Sequence, residues 1–459
     1  MFTGENSILR SSFGDDFVWG VSSSAFQTEG ASLADGKGPS IWDDFGAKGK
    51  IKNGENGDHA TKFYKYYRED LALMRSMGIR NFRFSFSWPR IFPNGIGKVN
   101  FKGVDFYDRL IDQCLELDIA PWVTLYHWDL PLELEKKGGW TKRSIVNWFS
   151  EYAEFCAKRY GDRVKKWMVL NEPIVFTGAG YFMGVHAPGR RGISPFLKAV
   201  HNAILVQGLT PEIIRHHSKN CEVGTTYSCS HLDAYSENES DVFAKQRADV
   251  LLNRLFIEPT LGLGYPHQDF KPLERLLDLM GPNDEQLMFG NYDFIGIQNY
   301  TREIVKASWI IPYLKARLVP ASKRNVPHTQ MNWEIYPEAI YTMLKKFGAY
   351  PNVKKIYITE NGAAFQDQLV NGRVHDLNRT LFLQSYIEQV LKAKNEGINV
   401  AGYFIWSFTD NFEWAEGYTP KFGIVHVDMK TQKRTIKDSG YWYRSFLRGE
   451  PVPQLAVTA

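Results

Sequence analysis

Two glutamates of the sequence end short apolar runs that are typical of β-strands. Glu360 follows the run 354–359 and precedes an Asn-Gly pair, whereas Glu172 follows the run 166–171 and precedes a proline. A strand that ends in this way holds a carboxylate rigidly where the backbone leaves the sheet. Taken alone, each residue is equally typical of a solvated glutamate before a turn. Two strands that deliver carboxylates to the same end of one sheet predict a pair facing a shared cleft, as glycoside hydrolysis requires.

Eight strand-like runs alternate with helical patterns along the chain. We predict strands at 17–24, 81–88, 120–128, 166–171, 222–230, 293–300, in the run ending at Glu360, and at 400–408. The helical patterns fall at 58–77, 103–117, 144–160, 195–216, 241–256, 337–347 and 379–395. Such alternation predicts parallel strands joined by right-handed crossovers, and eight units close a TIM barrel. Because no linker divides the chain, we predict an α/β fold in which residues 1–459 form a single catalytic (β/α)8 barrel domain with extended βα loops.

Bulk composition argues against several other classes of protein. The 459 residues include 55 Lys+Arg against 51 Asp+Glu, without a basic run, so we expect no nucleic-acid partner. No apolar stretch reaches the ~20 residues of a membrane span, and residues 1–7 lack the pattern of a secretory signal. The four cysteines are scattered, and no Cys or His spacing resembles a metal site. We therefore expect free thiols, a cytoplasmic location, no membrane contact, no cofactor and no metal ion.

The C-terminal ends of the predicted strands carry many polar and aromatic side chains, and in a TIM barrel those ends form the active-site face. The polar ones are Gln27, Glu29, Arg83, His127, Asn171, Glu172, Gln298, Asn299, Tyr300 and Glu360. Taken singly, Arg83 is equally a buried partner for an acid, and His127 a hydrogen-bonded core histidine. Five of the 13 tryptophans lie at or just beyond strand ends, namely Trp88, Trp128, Trp333, Trp406 and Trp414. Their aromatic faces suit a sugar ring, and the polar side chains suit its hydroxyls.

An ordered set of motifs resembles glycoside hydrolase family 1, the β-glucosidase family, over nearly the whole chain. The motifs are FVWGVSSSAFQTEG at 17–30, SWPRI at 87–91, HWDLP at 127–131, NEP at 171–173, WE at 333–334, ITENG at 358–362, WS at 406–407 and DNFEW at 410–414. The NEP motif alone is a weak signal, but the complete set in this order is very specific.

The resemblance implies a retaining β-glycosidase that removes terminal non-reducing residues through a covalent glycosyl-enzyme. It implies β-glucosidase activity, accompanied by β-galactosidase and β-fucosidase activity, on small β-glycosides or short oligosaccharides. In this mechanism Glu360 is the nucleophile and Glu172 the acid/base, Arg83 and Tyr300 keep Glu360 ionised, and Asn171 contacts the sugar 2-hydroxyl. The other substrate-binding residues that it implies are Gln27, His127, Trp128, Gln298, Trp333, Trp406, Glu413, Trp414 and Phe422. We expect a raised pKa for Glu172 and a pKa for Glu360 that Arg83 holds down.

Three positions depart from the family pattern. Val169 stands where Thr is common, which we expect to matter little because both are β-branched. Gln298 stands where Asn is common at the end of the sixth strand, so its role stays open. Asn332 stands where Gly is common before Trp333, and this exchange affects the leaving-group site.

Three alternatives within the family are weighed against β-glucosidase activity. A non-catalytic sugar-binding relative lacks one of the two carboxylates, and a thioglucosidase has Gln at the acid/base position, whereas this chain has both Glu172 and Glu360. A 6-phospho-glycosidase carries a Ser/Lys/Tyr phosphate grip in the last loop, where Glu413 is expected to repel a phosphate. The preferred epimer, the aglycone that segment 302–333 contacts, and the oligomeric state stay open.

Overall fold

Eight parallel strands close a barrel in the computed structural model, which describes residues 8–450. In chain order the strands are β1 (Val18–Ser22), β2 (Asn81–Ser85), β3 (Ala120–Tyr126), β4 (Lys166–Asn171), β5 (Glu222–Ser228), β6 (Phe294–Gln298), β7 (Ile356–Asn361) and β8 (Val400–Trp406). Each pairs with its neighbour in the chain, and β8 closes the barrel against β1 with Ser22 opposite Trp406. The predicted α/β barrel is confirmed. Residues 1–7, on which the expectation about a secretory signal rests, lie outside the described residues.

One long helix follows each barrel strand. The helices are α1 (Phe63–Ser76), α2 (Phe101–Glu116), α3 (Ser144–Tyr160), α4 (Ile193–His217), α5 (Glu239–Asp249), α6 (Glu338–Gly348), α7 (Leu377–Asn395) and α8 (Asp438–Arg448). The first seven match the predicted helices, whereas α8 was not predicted. The largest difference between a predicted and an observed helix start is at α1, which begins at Phe63 and not at residue 58. Lys62 has a left-handed backbone with a φ of 52°, so the helix begins only after it.

Six of the eight strands end two or three residues earlier than the sequence pattern predicts, whereas β4 ends as predicted and β7 ends one residue later. The third was expected to run to position 128, but β3 ends at Tyr126. Trp128 has a φ of 80°, which is incompatible with an extended strand. The apolar pattern continues past the strand because the residues after it are also buried, although they face the barrel mouth.

The inside of the barrel is a packed aromatic core and not a channel. One buried cluster fills it, formed by Trp122, Met168, Phe294, Tyr357 and Phe404. Gly20 on β1 makes room for this cluster, because a Cβ atom there would lie 2.5 Å from the ring of Phe404. The cluster gives the C-terminal ends of the strands a rigid base.

The loops after the later strands carry three small sheets. These consist of the strands His231–Ala234, Arg302–Ala307 and Ala316–Leu318, the pair Leu369–Val370 and Arg373–Val374, and the pair Val425–Val427 and Arg434–Ile436. All four cysteines have free thiols, as predicted. Between residues 8 and 450 no helix has both the length and the apolar character to cross a bilayer. The same part of the chain contains no cluster of three or more His, Cys, Asp or Glu arranged to hold a metal ion.

Candidate active site

A cavity of about 360 Å³ opens at the C-terminal ends of the strands. Ten of the fourteen predicted site residues line it: His127, Trp128, Glu172, Tyr300, Trp333, Glu360, Trp406, Glu413, Trp414 and Phe422. The other four, Gln27, Arg83, Asn171 and Gln298, are completely buried and hydrogen-bond to the wall residues or to one another. A larger depression of about 580 Å³ lies near Arg80 at the opposite end of the barrel, and none of the fourteen lines it.

The Glu360 carboxylate is held from two sides. Arg83 donates from Nη1 to one carboxylate oxygen, and the Tyr300 hydroxyl donates to the other at 2.7 Å. The Arg83 side chain is completely buried and that of Glu360 is 4% exposed. Because the guanidinium is fixed on β2 and the carboxylate on β7, two strands together set the position of this acid. A carboxylate positioned in this way is suited to act as a nucleophile.

Asn171 is the centre of a second network directly beside this pair. Its Oδ1 accepts hydrogen bonds from Arg83 Nη2 at 2.6 Å, Gln298 Nε2 at 2.7 Å and Thr226 Oγ1 at 3.0 Å. Three donors on one oxygen fix the amide orientation, so its Nδ2 faces His127 Nε2 at 3.0 Å. Burial and the charge of Arg83 lower the pKa of His127 far below its ordinary value. The neutral ring therefore accepts at Nε2 and carries its proton on Nδ1, a buried donor that bonds to none of the described residues.

Glu172 enters the cavity at a sharp bend of the backbone. It follows β4 directly, has a φ of 44°, and precedes a short helix, Pro173–Thr177. Two other wall residues, Trp128 and Trp414, also have positive φ values of 80° and 49°. Non-glycine residues in this conformation are strained, and such strain concentrates at functional sites. At Glu172 the bend marks the point where the chain leaves the barrel wall.

Burial raises the pKa of both carboxyl groups. The pKa of Glu172 lies well above its ordinary value because the charge on Glu360 adds to the effect of burial. Burial also raises the pKa of Glu360, although Arg83 and the Tyr300 hydrogen bond oppose the rise. Arg83 thus acts in the expected direction, but the loss of hydration outweighs the guanidinium, so the pKa of Glu360 still lies above its ordinary value. The larger rise at Glu172 makes it the better proton carrier of the two.

The part of the cavity near β1 and β8 combines aromatic faces with a third carboxyl group. The His127 ring stacks against Trp406 and Trp414, with centroids 5.9 Å away in each case. Gln27 Nε2 donates to Glu413 at 3.3 Å and to the Phe412 carbonyl at 2.8 Å. Burial, followed by the charge of Glu360, raises the pKa of Glu413 to about 8.

A second aromatic group lies across the cavity beside Glu360. The ring of Trp333 is 5.2 Å from that of Tyr300 and 6.0 Å from that of Phe422. Asn332, which precedes Trp333, has a φ of 60°, and its side chain accepts a hydrogen bond from the Ser322 amide at 2.8 Å. Asparagine is one of the few residues that tolerate this conformation, which explains why Asn can occupy a position where Gly is common.

Three polar or aromatic residues at strand ends have structural positions instead. Trp88 is completely buried and stacks on Tyr152 at 4.8 Å, so its assignment to the sugar-facing aromatics is wrong. Glu29 forms an ion pair with Arg90 at 2.7 Å. Asn299 turns away from the cavity and donates to the Cys229 carbonyl at 3.0 Å. The end of a strand thus selects candidates, but the side on which a side chain leaves the strand decides its role.

Ten further residues line the cavity that sequence reasoning did not single out. They are Val175, His186, Ser228, Cys229, Ser230, Thr301, Glu303, Met331, Ala415 and Glu416. Ser228 ends β5 and could have been found from its place at a strand end. His186 lies outside any helix or strand, and Glu416 ends a 3-10 helix of three residues, so neither has a periodic signal. The complete wall contains five glutamates, and among the described residues that form it none is Lys or Arg.

Glycoside hydrolysis is the chemistry that two facing carboxylates on a barrel rim perform, and the chain is a glycoside hydrolase. More narrowly, it belongs to glycosyl hydrolase family 1, whose family model matches residues 9–451.

Relatives cover nearly its whole length. Beta-glucosidase A of Thermotoga maritima is 44% identical over 439 residues, which are 95% of this chain and 98% of the relative. A solved structure of a Thermotoga maritima beta-glucosidase in complex with deoxynojirimycin superposes with a TM-score of 0.90 at 43% identity, covering 95% of this chain and 98% of the other. A 6-phospho-beta-galactosidase of Clostridium acetobutylicum is 33% identical and covers 94% of this chain and 96% of its own length.

Proposed function

We propose that this glycoside hydrolase is a retaining β-glucosidase in which Glu360 is the nucleophile and Glu172 the acid/base. One observation carries the assignment of roles. Arg83 and Tyr300 both donate to Glu360, whereas Glu172 faces the same cavity, forms no ion pair within residues 8–450 and has the more strongly raised pKa. The anionic form is thus favoured at Glu360 relative to Glu172, and the protonated form at Glu172.

In the first step the Glu360 carboxylate attacks the anomeric carbon and forms an ester with the sugar. The bond to the leaving oxygen breaks as Glu172 transfers its proton to that oxygen. Esterification removes the charge of Glu360, which is the second cause of the raised Glu172 pKa after burial. The pKa of Glu172 then falls, so its carboxylate can take a proton from water. That water attacks the anomeric carbon, the ester breaks, and the β configuration is regenerated.

The sugar is held by groups that surround this pair. Asn171 donates from Nδ2 to the 2-hydroxyl, and His127 donates from Nδ1 to a neighbouring hydroxyl. Glu413, steadied by Gln27, accepts from the hydroxyls on the other side, and Trp406 and Trp414 cover the apolar ring faces. Trp333 and Phe422 flank the leaving group, and the buried Gln298 orients Asn171. The names of the relatives support glucosides as the substrate class.

One relative, 33% identical, is a 6-phospho-beta-galactosidase, so phosphorylated sugars are a second candidate class of substrate. A dianionic 6-phosphate would meet a wall with five glutamates and no Lys or Arg among its described residues. Burying such a charge without a cationic partner is strongly unfavourable whether or not Glu413 is protonated. We therefore expect a lower kcat/KM for a 6-phospho-β-glucoside than for the unphosphorylated β-glucoside, and the opposite order overturns this assignment.

Hydrolysis of a nitrophenyl β-glucoside, followed by proton NMR, tests the proposed function. The first-formed glucose should be the β anomer. A first-formed α anomer contradicts retention, and a lack of hydrolysis contradicts the proposal as a whole. A panel of β-glucoside, β-galactoside and β-fucoside, together with cello-oligosaccharides, measures the epimer preference and the chain length.

The domain organisation and the cellular location of the protein are also proposals. We propose that residues 1–459 form one catalytic domain, supported by a family match that extends from residue 9 to residue 451. A cytoplasmic location is consistent with four free thiols. Limited proteolysis and cell fractionation measure these two properties.

A further inference from the structure

Glu303 is a wall residue of the cavity that the proposed mechanism does not use. It is the second residue of the outer strand Arg302–Ala307, which continues outward from the end of β6. Its side chain is half-buried and lines the same cavity as Glu172. Because neighbouring side chains on a strand point to opposite faces, Arg302 points away from it.

The cations near Glu303 are already paired with another acid. Arg302 Nη2 lies 2.5 Å from one oxygen of Glu334, and Arg324 Nη1 lies 2.6 Å from the other. Arg324 also donates from Nε to the Val319 carbonyl. Within residues 8–450 the Glu303 carboxylate has neither a hydrogen-bond nor an ion-pair partner, and Arg324 affects it only through space. A half-buried carboxylate without a partner, on the wall of a substrate cavity, is an unused recognition group.

The position of Glu303 along the chain assigns it to the leaving-group side. It shares the wall with Ser230 and Thr301, which follow the ends of β5 and β6. Its neighbour Arg302 pairs with Glu334, which directly follows the leaving-group residue Trp333. The residues assigned to the sugar, such as Trp406 and Glu413, come instead from β8 and the loop after it.

We propose that Glu303 makes the enzyme prefer leaving groups that carry a positive charge, such as an amine, over neutral or acidic ones of the same shape. This inference rests on the proposed function and extends it by naming a substrate class. A partly desolvated carboxylate attracts an ammonium group more strongly than an exposed one does. The same charge opposes anionic leaving groups.

Three aryl β-glucosides that differ only at the para position test the proposal, with an aminomethyl, a hydroxymethyl or a carboxymethyl group. The preference is the ratio of kcat/KM for the ammonium substrate to kcat/KM for the neutral one. Measurements at about pH 8 keep Glu303 ionised, because burial raises its pKa to about 7. The ratio in Glu303→Gln should fall at least about threefold from that of the parent enzyme. Comparing ratios removes the differences in intrinsic leaving ability.

Two further variants isolate the charge of Glu303. Glu303→Asp keeps the charge and should keep most of the preference, which distinguishes charge from a loss of fold. Glu416→Gln removes another wall carboxylate, but one that already pairs with Lys52 at 2.9 Å, so the ratio should stay unchanged. An unchanged ratio in Glu303→Gln, or an equal fall in Glu416→Gln, overturns the inference alone. A parent enzyme that hydrolyses none of the three glucosides overturns the proposed function as well.

Discussion

Glu360 and Glu172 have identical side chains, and their surroundings give them different roles. Glu360 receives hydrogen bonds from Arg83 and Tyr300, which favour its charged form. Glu172 is buried near that charge, which favours its protonated form. The assignment of the two roles therefore depends on which residues contact each carboxyl group and not on the glutamates themselves.

The pH dependence of catalysis should report the proton on Glu172. Its pKa is raised, so the proton is retained at pH values where an ordinary glutamate is ionised, and activity falls as the pH rises through the raised pKa. We expect this alkaline decrease in kcat/KM for phenyl glucosides with poor leaving groups. The dinitrophenolate group leaves without a proton, so the alkaline decrease in kcat/KM should be much weaker for dinitrophenyl glucosides. Identical profiles for the two substrates would remove Glu172 from the role of acid.

Gln298 should act on the sugar 2-hydroxyl through Asn171. Gln298→Leu removes one of three donors that fix the Asn171 amide, so we expect kcat/KM for a β-glucoside to fall about 3- to 10-fold. The 2-deoxy-β-glucoside lacks the hydroxyl that Asn171 contacts, so the same substitution should change its kcat/KM little. Equal losses on both substrates would indicate a purely structural role.

At the scale of single residues, the sequence was informative where a motif accompanied the position. The two glutamates could be foreseen, since each lies at or just after a strand end within an ordered motif, and the family resemblance implied the role of Arg83. His186 could not, because it lies outside any helix or strand, and Glu303 could not, because no motif accompanies its short outer strand. Trp88 was misassigned, since a tryptophan beside a strand end can fill either the cavity or the core.

The barrel strands determine where each functional side chain can be. Alternation of strands and helices was enough to predict the eight barrel strands and seven of the eight helices that follow them. Six of the strand ends were predicted two or three residues too late in the chain, because the residues at the barrel mouth continue the buried pattern of the strands. Positive φ values, as at Glu172 and Trp128, depend on tertiary contacts that local sequence patterns do not contain.

Gly362 should be essential for the end of β7. A Cβ atom at this position would lie 1.8 Å from the carbonyl oxygen of Trp406, so Gly362→Ala must displace one of two strand ends that carry site residues. We expect a loss of about 1–3 kcal/mol of unfolding free energy and a large fall in kcat. Gly178→Ala is the matched control, since Gly178 has a helical φ of −70° and open space around its Cβ position. Denaturant unfolding and steady-state kinetics measure both, and wild-type values for Gly362→Ala would contradict this account.

At the scale of the whole molecule, a buried ion-pair cluster joins the last units of the barrel. Lys437, at the start of α8, binds Asp410 from the loop after β8 at 2.6 Å and also contacts Asp367 from the loop after β7. Arg379 of α7 binds Asp367 at 2.9 Å and contacts Asp376. The cluster thus connects the loops after β7 and β8, the two strands that carry Glu360 and Trp406.

Removal of one member of this cluster should destabilise the fold. Lys437→Met leaves Asp410 buried without its nearest cation, so we expect a loss of about 3–5 kcal/mol at neutral pH. Opposing the effect of burial, Lys437 and its neighbours hold the pKa of Asp410 below the ordinary value. This contribution to stability is present above the ordinary aspartate pKa and is lost as the pH falls through the lowered one. Lys433→Met, at an exposed lysine nearby, is the control and should change the unfolding midpoint little.

Azide rescue of two variants tests the central assignment most directly. Glu172→Ala should still be loaded by dinitrophenyl β-glucoside, and azide, which needs no general base, should release β-glucosyl azide. Glu360→Ala should give α-glucosyl azide, because the anion attacks from the side that the carboxylate has vacated. The anomeric configuration of each product by proton NMR is the deciding measurement. β-Azide from Glu172→Ala with α-azide from Glu360→Ala is the predicted result, and the opposite pattern would show that the two roles are reversed.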